Sequence, residues 1–174
     1  MSANSITSQV SIQKASVKDV SLIAELANEI WREYYPAIIT MEQVEYMLNK
    51  MYSIDALENQ IKNGQNFYFI ESDGKHLGFI SVSKKTNEEI MLHKFYVKSM
   101  NRKCGVGSKV FEKLVEELNQ PEIIRLTVNR QNFKSINFYF KNGFIIEKVE
   151  DFDIGNGYFM NDFVMIWKNA KNLN

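Results

Sequence analysis

Between residues 66 and 98 the chain carries three strand-length segments in succession, and beyond residue 104 helical and strand-like segments alternate. This change of pattern constrains the fold more than any other feature. A meander of strands that runs into a β-α-β unit must build one mixed sheet with helices on both faces. The three segments are Asn66–Glu71, His76–Lys84 and Glu89–Lys98, the first two joined by the turn signal Ser72-Asp-Gly74. Cys104–Leu118 reads as a helix, with Val106, Val110, Leu114 and Leu118 on one stripe, and Asn119-Gln-Pro121 ends it. Ile123–Val128 then reads as a strand and Asn132–Asn142 as a helix stopped by Gly143. Phe144–Phe152 and Tyr158–Trp167 close the chain as a hairpin around Gly155-Asn-Gly157.

Upstream, Val10-Ser-Ile12 is a strand candidate, and Ser16-Val-Lys-Asp19 caps a helix. Its apolar positions Val20, Ile23, Ala24, Ala27, Ile30 and Tyr34 recur at helical spacing until Pro36. Thr40-Met-Glu-Gln43 caps a second helix with Val44, Met47 and Leu48 on one face, and a third lies near Asp55–Asn63. The expected fold is therefore α/β (α+β): a mixed, mostly antiparallel sheet of about seven strands with helices on both faces.

The 174 residues fit one domain at roughly 150 residues per domain. It is expected over residues 8–168, with polar tails at 1–7 and 169–174. A single cysteine excludes a disulfide framework and a cysteine-cluster zinc site, and two histidines are too few for a typical metal centre. No metal is expected. No apolar run reaches the roughly 18–20 residues of a membrane span, and the first residues lack a basic start and an apolar h-region. A cytoplasmic protein without a membrane partner is the expectation. The 21 Lys+Arg balance 21 Asp+Glu, which argues against a general nucleic-acid binder.

The most informative stretch is Phe95-Tyr-Val-Lys-Ser-Met-Asn-Arg-Lys-Cys-Gly-Val-Gly-Ser108. A strand enters a loop with Gly105 and Gly107, and a helix starts directly after it. Unpaired backbone N–H groups and the positive end of the helix suit a pyrophosphate there. Arg102 and Lys103 add charge. The stretch lacks the lysine of a P-loop, and Val110 stands where a dinucleotide fingerprint has its third glycine. What remains is [QR]-x-x-G-x-[GA], filled by Arg102, Gly105 and Gly107. On these residues alone, a phosphate cradle and a plain glycine turn capping a helix stay equally open.

With Asn132-Phe-Lys-Ser135-Ile-Asn-Phe138-Tyr139-Phe-Lys-Asn-Gly143-Phe144 at the expected distance, the sequence resembles the GNAT superfamily of acetyl-CoA-dependent N-acetyltransferases. Ser135 replaces that segment's usual alanine. Three further segments look most like the PaiA-type polyamine acetyltransferase branch: Ile30-Trp-Arg-Glu-Tyr-Tyr-Pro36, Glu45-Tyr-Met-Leu-Asn-Lys-Met51 and Ile154-Gly-Asn-Gly-Tyr-Phe-Met-Asn-Asp162. The resemblance implies that acetyl-CoA, a co-substrate, wedges between the strands at Phe95–Val97 and Ile123–Val128. Phe95, Tyr96 and Val97 would hold its pantetheine arm and orient the thioester carbonyl. Arg102, Lys103, Cys104, Gly105, Val106, Gly107 and Ser108 would cradle the pyrophosphate. Asn132 and Ser135 would bind the arm, although capping the following helix serves Asn132 equally well.

Tyr139 is implied as the phenol that protonates or stabilises the leaving thiolate. His93 is the expected proton acceptor for the amine, on the same strand face as Phe95 by alternation. Glu89 is its rival. Trp31, Tyr35, Glu89, Glu150 and Asp151 are the expected acceptor-binding residues. The net zero charge also splits. Lys98–Lys113 holds five basic residues and one acidic, while Glu147–Asp162 holds five acidic and one basic. Such an arrangement suits an anionic cofactor and a cationic polyamine. Transfer to a small polyamine such as spermidine or spermine is the leading expectation. The alternatives are another amine (amino acid, antibiotic, protein lysine or N-terminus) and a non-catalytic acyl-CoA-binding regulator. Relatives are often dimers, and the terminal hairpin offers an edge for a homodimer.

Overall fold

The computed structural model describes residues 10–101 and 105–170. Seven strands form one sheet: β1 (Ser11–Lys14), β2 (Asn66–Ser72), β3 (Lys75–Lys84), β4 (Glu89–Val97), β5 (Ile123–Asn129), β6 (Ile145–Gly155) and β7 (Tyr158–Lys168). Their spatial order is β1-β2-β3-β4-β5-β7-β6. Five α-helices accompany them among the described residues: α1 (Val20–Tyr34), α2 (Met41–Tyr52), α3 (Ile54–Lys62), α4 (Val106–Glu117) and α5 (Phe133–Lys141). All neighbouring strands are antiparallel except β4 and β5, which run parallel because α4 carries the chain across between them.

The helix starts follow their caps. Ser16 and Asp19 form a capping box, with the Ser16 N–H donating to Asp19 Oδ2 at 2.7 Å. It opens a single 3₁₀ turn over Val17–Asp19, so α1 begins at Val20, three residues later than a helix opened directly by the Ser16 cap. Thr40 and Ser53 accept from the backbone N–H of Gln43 and Ala56 and so fix α2 and α3. Gly105 takes φ +77° at the start of α4. Left-handed backbone there favours glycine.

Two apolar layers sandwich the sheet. On one face α1, α2 and α3 bury Ile23, Trp31, Val44, Tyr52 and Leu57 against Phe67, Phe69 and Phe79. On the other, α4 and α5 bury Val110, Leu114 and Ile136 against Ile80, Leu92, Ile124 and Leu126. The 3.6-residue period of each helix puts these side chains on one stripe, and the alternation of each strand divides its residues between the layers. Asn169 departs from the expected tail. It is buried, its N–H donates to the Glu122 carbonyl at 2.9 Å, and it holds the end of β7 in place. The edge strand β6 exposes Ile145 and Val149.

Candidate active site

The site begins with a fault in the sheet. β4 and β5 pair only from Glu89 opposite Ile123 to Leu92 opposite Leu126, and then diverge. At the same point the β3–β4 register slips, because Ser81 lies opposite Lys94 whereas Val82 lies opposite Leu92. His93 is thus the extra residue of a β-bulge. The bulge resets the alternation downstream. Ile90, Leu92, Phe95 and Val97 pack with the α4–α5 layer, whereas Tyr96 packs with the α1–α3 layer. His93 bonds to Ser83 Oγ through Nε2 at 2.8 Å and does not share a face with Phe95, which corrects the expectation from simple alternation.

Beyond the bulge, the Lys98 N–H donates to Leu77 O on β3 at 2.8 Å. By alternation, the backbone groups of Phe95 and Val97 turn the other way, toward the widening gap. Gly78 allows this close β3–β4 approach, since a Cβ there would fall 1.9 Å from the Tyr96 carbonyl oxygen.

A cavity of about 750 Å³ lies at the gap and is lined by residues of both layers, a volume typical of small-molecule sites. Its walls include most of the residues expected from sequence: Phe95, Tyr96 and Val97 from β4, Gly105, Gly107 and Ser108 at the start of α4, and Asn132, Ser135 and Tyr139 from α5. His93, Trp31 and Tyr35 line it as well. Val106 does not. It faces the core, 1% exposed, because the first turn of α4 points it under the sheet. Arg102, Lys103 and Cys104 lie outside the described residues.

Three acidic expectations are corrected. Glu89 sits at the far, paired end of β4, where Arg125 bridges it to Glu147 and holds both carboxyls below their ordinary range. It is absent from the cavity wall. Asp151 pairs with Arg130, and Glu150 with Lys148, on the sheet's outer strand. Neither lines the cavity. The acid that does is Asp162 on β7, only 4% exposed, with Thr127 as a hydrogen-bond partner. Burial pushes its carboxyl up to about 6.

Asn132 is doubly engaged. Its Oδ1 accepts from the Ser135 N–H at 3.2 Å and from the Tyr34 hydroxyl at 2.7 Å, so it caps α5 and ties that helix to α1. Gly107 is required by sterics, since a Cβ there would meet the Phe138 ring at 2.8 Å. Phe138 in turn stands 5.5 Å from the Phe95 ring and 5.3 Å from that of Tyr139. Tyr139 is 8% exposed, and burial, with Tyr34 nearby, pushes its phenol above the ordinary range. Burial does the same to Tyr35 and Tyr96, which line the chamber as protonated phenols, and to Tyr52 in the core behind them. Trp31 stacks on Tyr35 at 4.0 Å.

Sequence reasoning missed Lys94, Gln60, Gln65 and Asp162. Lys94 is the most unusual residue of the wall, a lysine only 3% exposed. Its one sequence signal is a charge inside an otherwise apolar strand, Leu92-His-Lys-Phe-Tyr-Val97. Among the described residues, no group of three or more His, Cys, Asp or Glu is placed to hold a metal, and no helix is long and apolar enough to cross a membrane.

Comparison with known proteins bears directly on this geometry. Residues 23–144 match the model of the acetyltransferase (GNAT) family. The chain is 30% identical over 158 residues to a spermidine N(1)-acetyltransferase of Thermoplasma acidophilum, spanning 87% of this chain and 95% of that protein. It superposes on the crystal structure of the PaiA N-acetyltransferase from Thermoplasma acidophilum in complex with coenzyme A. That match has a TM-score of 0.74 and 29% identity over 91% of this chain and 98% of the other. A spermidine/spermine N-acetyltransferase SpeG from Vibrio cholerae shares the fold at a TM-score of 0.68 and 17% identity, over 97% and 98% of the two chains.

Proposed function

Because the chain belongs to the GNAT family and is an acetyl-CoA-dependent N-acetyltransferase, we propose that it transfers acetyl directly to a primary amine in a ternary complex, with a small polyamine such as spermidine or spermine as acceptor. One observation carries this reading: a single cavity joins the split between β4 and β5 to an aromatic chamber that holds the buried acid Asp162. The split suits an extended acyl carrier. The chamber suits an amine, since aromatic faces and a carboxylate both favour a cation.

The residues fit the co-substrate at both ends. Gly105, in left-handed backbone, and Gly107, with no room for a Cβ, open the first turn of α4, where N–H groups and the helix dipole favour a pyrophosphate. Phe95 and Val97 turn backbone groups into the gap, where they hold the pantetheine arm and orient the thioester carbonyl. Ser135 and Asn132 border the same channel. Tyr139 serves the leaving sulfur. A phenol raised above its ordinary value gives its proton up reluctantly, so Tyr139 works chiefly as a hydrogen-bond donor to the developing thiolate. Trp31 and Tyr35 hold the alkyl part of the acceptor, and Asp162 pairs with a distal ammonium group.

The test is a thiol-release assay with acetyl-CoA against spermidine, spermine, free amino acids, aminoglycosides and a lysine peptide. Polyamines are expected to give the highest kcat/KM. A preference for peptide or amino-acid amines would overturn the polyamine assignment, and tight acetyl-CoA binding without turnover on any amine would replace the enzyme by a sensor.

A further inference from the structure

We propose that Lys94 is the general base of the reaction, the group that takes a proton from the acceptor's ammonium and frees its nitrogen to attack the thioester. This rests on the acetyl-transfer reading above and names the residue that reading needs.

Lys94 is a buried lysine with no carboxylate beside it among the described residues, and the loss of water on burial outweighs what amide oxygens and ring faces return to its charge. Its Nζ lies 2.6 Å from Gln60 Oε1 and 3.4 Å from Gln65 Oε1, and it sits over the rings of Tyr52 and Phe67 at 5.5 and 5.3 Å. The two amides come from α3 and from the residue before β2, and Ser81 Oγ donates to Gln65 Oε1 at 3.0 Å to hold that amide in place. The titratable groups near the amine are Tyr52 from α2 and, on β4 itself, His93 and Tyr96. Among the described residues, no carboxylate comes within 4 Å of Nζ. A buried ammonium without a counter-ion is costly, and a lysine so placed sheds its charge. Burial accordingly pushes Lys94 down to about 7. As a neutral amine it can donate to both amides and still accept a proton from the cavity, whose wall it shares with Tyr139 and Asp162.

His93 serves less well. Burial and the neighbouring Lys94 push its imidazole down to about 4. An acceptor ammonium therefore passes its proton more favourably to Lys94 than to His93. The step balances. Lys94 takes one proton, the amine nitrogen bonds to the carbonyl carbon as the C–S bond breaks, and the sulfur leaves as thiol with the nitrogen's second proton. The proton on Lys94 returns to solvent before the next turnover.

The bulge supplies the placement. Were β4 regular, with His93 paired in register, alternation from Leu92 would put Lys94 on the α4–α5 side of the sheet, away from the aromatic chamber.

The test compares Lys94→Arg, which keeps a cation that cannot lose its proton, and Lys94→Gln with the wild type. The readouts are acetyl-CoA affinity, the pH profile of kcat/KM, and stability against denaturant from pH 6 to 10. Both variants are expected to lose about 100-fold or more in kcat/KM, to bind acetyl-CoA as before, and to lose the rising limb near pH 7. Between pH 7 and 10 the unfolded chain keeps a proton that folded Lys94 has released, so wild type is expected to gain stability relative to Lys94→Gln as pH rises through that range. Arg within threefold of wild type with the same limb, or a stability difference flat across that range, overturns the proposal. Wild-type protein without turnover on any amine sinks the acetyl-transfer reading itself, and the base with it. Turnover that persists in Lys94→Arg sinks the base alone.

Discussion

Gly107→Ala puts the steric fit between α4 and the cavity wall to a quantitative test. The added Cβ would sit 2.8 Å from Phe138 Cε2 and 3.2 Å from Cζ. Ordinary contact begins near 3.4 Å, so the ring or the first turn of α4 must yield by about 0.6 Å. The ring has little room to retreat, because Phe95 and Tyr139 stand against it at 5.5 and 5.3 Å between centroids. Overpacking of this kind costs about 1–3 kcal/mol. Alanine returns up to about 1 kcal/mol through helix propensity and a less mobile unfolded chain. The net expectation is a loss of about 1–2 kcal/mol in urea unfolding, with unchanged slope. The displaced ring also narrows the channel between α4 and β4, so KM for acetyl-CoA should rise several-fold while KM for the amine stays put. A double mutant with Phe138→Leu relieves the clash and should recover most of both effects. The reasoning fails if Gly107→Ala alone is stabilising by its full propensity gain and leaves KM for acetyl-CoA unchanged.

Two further outcomes follow from the site. Tyr139→Phe removes one hydrogen bond to a developing anion, worth about 1.5–3 kcal/mol, so kcat should fall roughly 10- to 150-fold with acetyl-CoA affinity intact; calorimetry beside steady-state kinetics checks both. Asp162 has a carboxyl near 6 in the fold against 3.8 ordinarily. Between those values the folded protein keeps a proton that the unfolded chain has lost, so stability falls as pH rises through the window. Asp162→Asn does not titrate. Its stability relative to wild type should be level below about pH 4, improve by ~2–3 kcal/mol between pH 4 and 6, and stay level above. Denaturation at pH 3.5, 5 and 7.5 measures this, and a constant offset would refute it. The same variant should raise KM for polyamines.

The strands and helices were legible because each carries a clean period and an identifiable stop: Pro36, Asn119-Gln-Pro121 and Gly143 all fall where elements end. The co-substrate side of the site was legible for a related reason. Its residues sit at two short motifs, and local sequence dictates a helix start. The acceptor side was not. Lys94 faces the chamber only because one extra residue at His93 resets the alternation, and a bulge leaves no mark in a single sequence. Glu89 looked available because its partner Arg125 lies 36 residues further on, across a parallel pairing. The acid of the chamber, Asp162, stands in the same charge cluster as Glu150 and Asp151, and is buried because β7 lies inside the sheet between β5 and the edge strand β6, a strand order that the local sequence does not show.

The short contact between β4 and β5 also governs how the chain assembles. Four residue pairs, reached only after the chain has crossed through α4, are all that stitch one part of the sheet to the other. Each part can zip through its own local hairpins, β2–β3–β4 on one side and β6–β7 on the other, before this join closes. Loop closure that must precede any reward makes such a seam late to form. It is equally the place where the native sheet opens first, with amides beside Leu92 and Leu126 exchanging ahead of those deep in β3. An acyl carrier lodged in the gap would act as a splint across that seam, raising its opening free energy by about 2.7 kcal/mol at a hundredfold excess over Kd.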